Sequence, residues 1–285
     1  MDSRMSNALS RELGDALRRA RYESELKFGD LVEELGWSAG KISKLERGTR
    51  GTSAVDIARY VGHLRADQST YDHIMSLAEE SSTGHLVREH ELAVPDALRA
   101  LLLHEQTARV IWSYQILMVP GLLQTADYAR ELIGTTNGEH RVIERMARQE
   151  IFNKPRAPWG RFFIHEAALM RAVGCPQVMY EQMLQLLFRG GVRLVTFAAA
   201  LPASLNSAFS FMTFDDHPPV SYLDGGPVAL FSDEFETTNR FRQCCNDLDL
   251  VALSEEESRL VFAKWADRYD RLREEQSAPG GEAVA

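Results

Sequence analysis

Gly36 and Gly48 constrain the fold of this chain more than any other residues. Glycine enters the left-handed conformation that closes a helix without the penalty a Cβ carries. The segment 28–35 has Leu31, Val32 and Leu35 at helical spacing, and Gly36 stops it. Ser38 is a natural N-cap for a second short helix over 39–47, with Ile42 and Leu45 as its apolar face and Gly48 as its stop. Trp37 packs in the turn between the two. The helical period extends to both sides. Leu13, Ala16, Leu17 and Ala20 mark the inner face of a helix over 10–22. After the loop Gly48-Thr49-Arg50-Gly51-Thr52-Ser53, a fourth helix runs through Ile57, Val61 and Leu64. Asp67-Gln68-Ser69 opens a fifth, with Tyr71, Ile74, Met75 and Ala78. Residues 1–80 are therefore expected to form an all-α head of five helices.

Beyond residue 80 the pattern changes. Residues 81–91 lapse into Ser-Ser-Thr-Gly and mixed charge, and read as a linker. A helix through Leu98, Leu101 and Leu102 follows, then a β-like run over 110–117 that Pro120-Gly121 breaks. Further helices are expected over 125–133, 138–152, 166–172 and 176–188. Short strands are expected over 162–164, 192–197, 209–214, 220–223 and 228–231. Two closing helices run over 233–249 and 254–274. Helices and strands mix without regular alternation, so 92–274 is expected to be an α+β domain. The tail 275–285, beginning near Ser277-Ala-Pro-Gly-Gly-Glu, is expected to be disordered.

The 285 residues suffice for two domains. No run of 18 or more apolar residues occurs, and Met1-Asp2-Ser3-Arg4-Met5-Ser6 lacks the apolar core of a secretory signal. A cytoplasmic protein without membrane contact is expected. Cys175, Cys244 and Cys245 form no C-x-x-C and read as thiols packed as small hydrophobes. The net charge of −9 argues at first sight against nucleic acid, but its distribution does not. Residues 36–65 carry Lys41, Lys44, Arg47, Arg50, Arg59 and Arg65 against Glu46 and Asp56, a local +4, while 81–285 carry −7. A basic patch sits on an acidic body and steers one face toward phosphate.

The run Asp30-Leu-Val-Glu-Glu-Leu-Gly-Trp-Ser-Ala-Gly-Lys-Ile-Ser-Lys-Leu-Glu-Arg-Gly puts the N-terminus of its second helix on an exposed corner. Such a helix fits the major groove, where its free amides and dipole favour phosphate. The core Gly36-x-Ser38-x-x-x-Ile42-Ser43-Lys44-Leu45-Glu46-Arg47-Gly48 resembles the XRE family of phage-repressor-like helix-turn-helix regulators, over roughly residues 10–65. That resemblance implies a lambda-repressor-like five-helix bundle that binds double-stranded DNA. It places Ala39, Gly40, Lys41 and Lys44 toward the bases, and Ser38, Ser43, Thr49 and Arg50 near phosphates. Lys44 is expected to read sequence and Lys41 to hold phosphate. It also implies an ion pair between Arg21 and Glu46. Two positions depart from the family: Phe28 stands where a Gln usually grips phosphate and base, and Lys27 replaces the usual Thr or Ser cap. Ala39 and Gly40 offer no side-chain hydrogen bonds, so either the two lysines read almost alone or DNA shape contributes.

From about 92 to 265 the chain resembles the C-terminal domain found behind this head in actinobacterial regulators of the WhiJ-like kind. The matching residues are Val119-Pro-Gly-Leu-Leu-Gln-Thr-Ala-Asp-Tyr-Ala-Arg130, Arg145-x-x-Arg148-Gln149, His165-Glu-Ala-Ala-Leu169, and Phe214-Asp-Asp216 leading to Val220-Ser-Tyr-Leu223. The resemblance implies a transcription regulator often partnered by a small protein encoded beside it, sometimes described as antitoxin-like. Trp112, Tyr114, Arg145, Arg148 and Gln149 could line a pocket for a small-molecule effector. Core aromatics with surface-paired arginines account for the same set, and more simply.

Enzyme and metal readings have less behind them. His104-Glu105 and His165-Glu166 each begin an H-E-x-x-H motif, but Ala108 and Leu169 stand where the second histidine belongs. No G-x-S-x-G occurs. His85, His90 and His217 lie in polar, loop-like stretches and need no special role. Neither cofactor nor catalytic activity is expected. The expected function is a dimeric DNA-binding regulator, a repressor with a sensor or partner-binding domain. The alternative is an antitoxin-like module that sequesters a neighbouring small protein and autoregulates.

Overall fold

The computed structural model describes residues 6–49, 52–80, 84–89, 96–134 and 138–277. The head helices are α1 (Ala8–Glu23), α2 (Phe28–Leu35), α3 (Ala39–Glu46), α4 (Ala54–Leu64) and α5 (Gln68–Glu79). Next come β1 (His85–Glu89), α6 (Asp96–Thr107), β2 (Val110–Gln115), α7 (Ala126–Ile133), α8 (Gly138–Gln149), β3 (Trp159–His165) and α9 (Ala167–Met170). The chain continues through α10 (Pro176–Phe188), β4 (Val192–Val195), β5 (Phe209–Thr213), β6 (Val220–Asp224) and β7 (Val228–Ser232). It closes with α11 (Phe235–Val251) and α12 (Glu255–Ser277). A helical N-terminal region is followed by an α+β region whose strands pair in both parallel and antiparallel fashion.

Two compact units divide the chain: Met1–Thr107 with Thr213–Asn239, and Ala108–Met212 with Arg240–Ala285. In the first, the head encloses a core of Leu17, Leu31, Leu35, Ile42, Ile57, Tyr60, Val61 and Ile74. Side chains of Asn7, Ser38, Ser53 and Asp67 cap α1, α3, α4 and α5, satisfying amides a helix start leaves free. Lys27 supplies no such cap to α2. Glycine sets the crossing of α1 and α3. A Cβ on Gly14 would stand 2.7 Å from the Gly48 nitrogen, and one on Gly48, where φ is +63°, would stand 2.3 Å from the Ser10 carbonyl oxygen. The Ser10 hydroxyl donates to the Gly48 carbonyl at 2.8 Å across this contact.

The stretch 81–91, expected to be a linker, contains β1. That strand pairs antiparallel with β7, from His85 opposite Ser232 to Glu89 opposite Val228, and β7 pairs antiparallel with β6. The division expected at 92 is therefore corrected, because β1, α6 and residues 213–239 belong to the head's unit. Arg88 supplies the physical reason. Its guanidinium is buried, with Nε 3.1 Å from Glu12 Oε2 on α1 and Nη1 3.1 Å from Glu80 Oε1 just past α5. Burial alone would weaken its charge, but the bonds to Glu12 and Glu80 outweigh that and raise its pKa.

In the second unit the strands lie in the order β5-β2-β3-β4. β2 and β3 run parallel with Val110 opposite Trp159, and β3 and β4 run parallel with Phe162 opposite Val192. Phe162, Phe163, Ile164, Leu194, Phe211 and Phe262 are buried. Helix α10 packs against α12, whose Tyr269 hydroxyl donates to the Leu169 carbonyl at 2.6 Å. The expected tail is shortened, since α12 continues through Ser277; residues 278–285 lie outside the described residues.

Candidate nucleic-acid interface

Gly36 closes α2 in the left-handed conformation, with φ 64° and ψ 28°, and the chain re-enters a helix at once. Ser38 Oγ accepts from the Lys41 amide at 3.2 Å, so α3 begins where the sequence places it. Ile42 and Leu45 are buried, whereas Ser38, Ala39, Gly40, Lys44 and Thr49 are exposed and Lys41 and Ser43 are half-buried. The residues expected to face DNA on α3 thus share its outward side. Phe28 is half-buried, 5.4 Å beneath the Arg21 guanidinium, and Lys27 is exposed. Arg50 lies outside the described residues.

The inner side of α3 ends in an ion pair. Arg21 donates to both carboxylate oxygens of Glu46, Nε to Oε1 at 2.7 Å and Nη2 to Oε2 at 2.9 Å. The side chains are only 9% and 7% exposed. Two parallel charge-assisted bonds fix direction as well as distance, so the end of α3 is oriented relative to α1. The hydrogen bond to Glu46 raises the Arg21 pKa. Sequence reasoning missed a third partner: the Tyr60 hydroxyl of α4 donates to Glu46 Oε1 at 2.6 Å, and burial raises the Tyr60 pKa. Arg59 on the same helix donates to the Leu35 carbonyl at 3.0 Å and closes the end of α2.

Lys41 is engaged within the head. Its ammonium sits 3.0 Å from Asp56 Oδ2 and 3.5 Å over the Trp37 ring. Asp56 also accepts from the Thr52 hydroxyl at 3.1 Å, and the bond from Lys41 holds its pKa below the usual carboxylate range. Asp56 carried only a place in the charge count, since its partner lies 15 residues away on another helix. Among the described residues Lys44 has no side-chain ion pair.

His217, assigned no role from sequence, is half-buried beside the first helix. Arg11 Nη1 lies 2.9 Å from His217 Nε2, and its guanidinium stands 4.8 Å over Phe214. Burial lowers Arg11 to about 10 and His217 to about 4. His104 is wholly buried 5.5 Å from the Phe231 ring, and burial likewise holds its pKa well below 6.5. Among the described residues no group of three or more His, Cys, Asp or Glu could hold a metal ion. Cys244 and Cys245 are buried as expected, but Cys175, at the N-cap position of α10, is exposed.

The suggested pocket residues have different neighbours in the second unit. Trp112 stacks on Phe163 at 5.8 Å with Arg161 4.1 Å over its ring, and Tyr114 is buried edge-on to Phe209. Arg145 donates to Gln124 Oε1 at 2.8 Å, Gln149 donates to the Gln124 carbonyl at 2.8 Å, and Arg148 lies near Gly121. These three brace the turn after β2.

Residues 98–264 match the family described as "Domain of unknown function (DUF5753)", and this match spans more than half of the chain. The chain belongs to the DUF5753 family. Ahead of the DUF5753 region, residues 12–74 match a family described as "Helix-turn-helix domain", which points to a DNA-binding regulator. No curated protein matches the chain. No described helix of the head or of the DUF5753 region is long and apolar enough to cross a membrane.

Proposed function

We propose that this chain is a sequence-specific transcription regulator of the XRE type, acting as a repressor from the cytoplasm, with α3 as the helix that enters the major groove. One observation carries the reading: α3 turns Ala39, Gly40 and Lys44 outward while Arg21, Glu46 and Tyr60 lock its far end inside the head. Small residues at the helix start let a DNA strand approach, and a long cation one turn further reaches base edges. Lys44 then reads sequence, with Ser38, Ser43 and Thr49 placed for phosphates. A short recognition helix with two bare positions binds weakly alone, so the regulator works as a two-fold dimer on half-sites ~34 Å apart. The DUF5753 region serves as the sensor or partner-binding part, in the manner of WhiJ-like regulators, and no catalytic role is assigned to it.

Selection of bound duplexes from genomic fragments tests the reading. An enriched site with two symmetric half-sites is expected, together with a dimer on that duplex in sedimentation. Recovery of fragments without any common site would refute sequence-specific binding. A monomer both free and on DNA would refute the dimer.

A further inference from the structure

Lys41 and Lys44 both lie on the outward side of α3, yet their surroundings are opposite. The Lys41 ammonium has an aromatic ring beneath it and a carboxylate beside it. That carboxylate is itself set in place. Asp56 lies in the first turn of α4, where the positive end of the helix dipole favours a negative charge, and it takes a second bond from Thr52. Ser53, not Asp56, caps the helix, so the Asp56 side chain is left for Lys41. A phosphate offers an ammonium what Asp56 already offers it: an anionic oxygen at hydrogen-bond distance.

We propose that Asp56 occupies the phosphate's place on Lys41, so that duplex DNA engages Lys41 only by displacing a carboxylate. This inference rests on the DNA-binding reading above and adds a specificity device to it. A phosphate approaching Lys41 either breaks the pair or stands against a like charge, and both penalise contact that gains nothing else. A cognate site recovers the loss through base contacts made by Lys44; random DNA does not. Discrimination built this way works by weakening the wrong complex rather than by improving the right one. Asp56 acts through Lys41, which makes it a positioning residue.

The experiment compares the full chain with Asp56→Asn, Lys41→Ala and the double variant. Each is titrated against a random-sequence duplex and against a duplex enriched by selection, over a range of sodium chloride. Asp56→Asn should tighten random-duplex binding about two- to fivefold, in keeping with a partly exposed ion pair. The slope of log affinity against log salt should steepen by roughly one, because a freed Lys41 neutralises one more phosphate. The enriched duplex should gain less, so the specificity ratio falls. In the Lys41→Ala background the same substitution should leave the slope unmoved, and Asp56→Glu should restore the wild-type slope. An equal gain with and without Lys41 would reduce the effect to net charge and overturn the proposal. So would an unchanged slope in a variant whose circular dichroism matches wild type. Failure of the wild-type chain to bind any duplex would instead overturn the DNA-binding reading, and this inference with it.

Discussion

The outward face of α3 and the turn between β2 and α7 are both built around a glycine and a capping hydroxyl, but they spend their polar groups differently. In the turn nearly every polar group is consumed. Gln124 donates to the Val119 carbonyl at 2.7 Å and accepts from Arg145. Gln182 on α10 takes the Thr125 amide at 2.8 Å and returns a donor to the Leu123 carbonyl, which Gln185 also reaches at 2.9 Å. On α3 the inward groups are equally consumed, by Arg21 and Tyr60, and the Ser38 and Thr49 hydroxyls bond the Lys41 amide and the Lys44 carbonyl, while the Lys44 ammonium stands exposed and makes no ion pair among the described residues. The Pro-Gly-Leu-Leu-Gln-Thr run belongs to the longest of the stretches by which the second region resembles WhiJ-like regulators. It forms a turn that must satisfy its own buried backbone, since an unpaired buried carbonyl or amide costs about 1–3 kcal/mol. A specific motif marks a site only where some of its polar groups remain unspent.

The largest expected effect separates the inner ends of the two regions. Glu46→Ala leaves the Arg21 guanidinium buried without its carboxylate and removes the acceptor of Tyr60, so it should destabilise the head by about 3–5 kcal/mol. Asp249 in the second unit receives Arg161 and Arg193, but this cluster is 20–39% exposed and water can replace the lost partner. Asp249→Ala should cost about 1 kcal/mol or less. Urea unfolding with hydrogen exchange resolved by segment measures both. Equal costs would mean that the Glu46 pair is no more isolated from water than a surface cluster.

Much of this contrast was legible before the structure. The five head helices follow from apolar spacing and from the residues at their ends, and three of the four side-chain caps, Ser38, Ser53 and Asp67, stand where the sequence opens a helix, whereas Asn7 caps α1 three residues before the expected start. The strand β1 was not legible. Of His85-Leu-Val-Arg-Glu89 only Leu86 is a buried apolar residue, and Arg88 is buried because Glu12 and Glu80 lie elsewhere in the chain. Local alternation cannot announce a strand whose inward residue is an arginine. Tyr60 and Asp56 were missed for the same reason. Each carries its role through one bond to a residue on another helix, and periodicity records only which face a residue lies on.

Acid should unsettle the first unit through half-buried His217 and buried His104. The folded pKa of His217 falls from 6.5 to about 4, through burial first and then the charge of Arg11. The unfolded chain therefore takes up the proton more readily. The stability linked to His217 is complete above about pH 6.5 and is lost as pH falls toward 4. Solvent screening keeps the loss well below the roughly 3 kcal/mol that the full shift would give. His104 adds to the loss in the same direction. The charged groups around the pair are Arg11, Glu12, Asp216 and Asp233. Tm measured from pH 7 to 4.5 should therefore fall less in His217→Gln than in wild type. Parallel curves for the two proteins would show that His217 takes no part in the acid sensitivity.

The smallest effect gives the finest comparison, because one chemical group serves both regions. Ser38 Oγ accepts the Lys41 amide at the start of α3, and Thr125 Oγ1 accepts the Tyr128 amide at the start of α7, both at 3.2 Å. Replacing either by alanine removes one cap and should cost about 1 kcal/mol of stability. The consequences should then part. Thr125 is half-buried and bound through its own amide to the buried Gln182. Ser38 is exposed, and its helix start carries the amides proposed to meet phosphate. Ser38→Ala should weaken duplex binding beyond what its lower stability explains, when both proteins are compared well below their midpoints. Thr125→Ala should leave binding unchanged at the same loss of stability. If both variants bind DNA as wild type does, the start of α3 is no more available than the start of α7. The distinction between spent and unspent polar groups would then fail where the two regions are most alike.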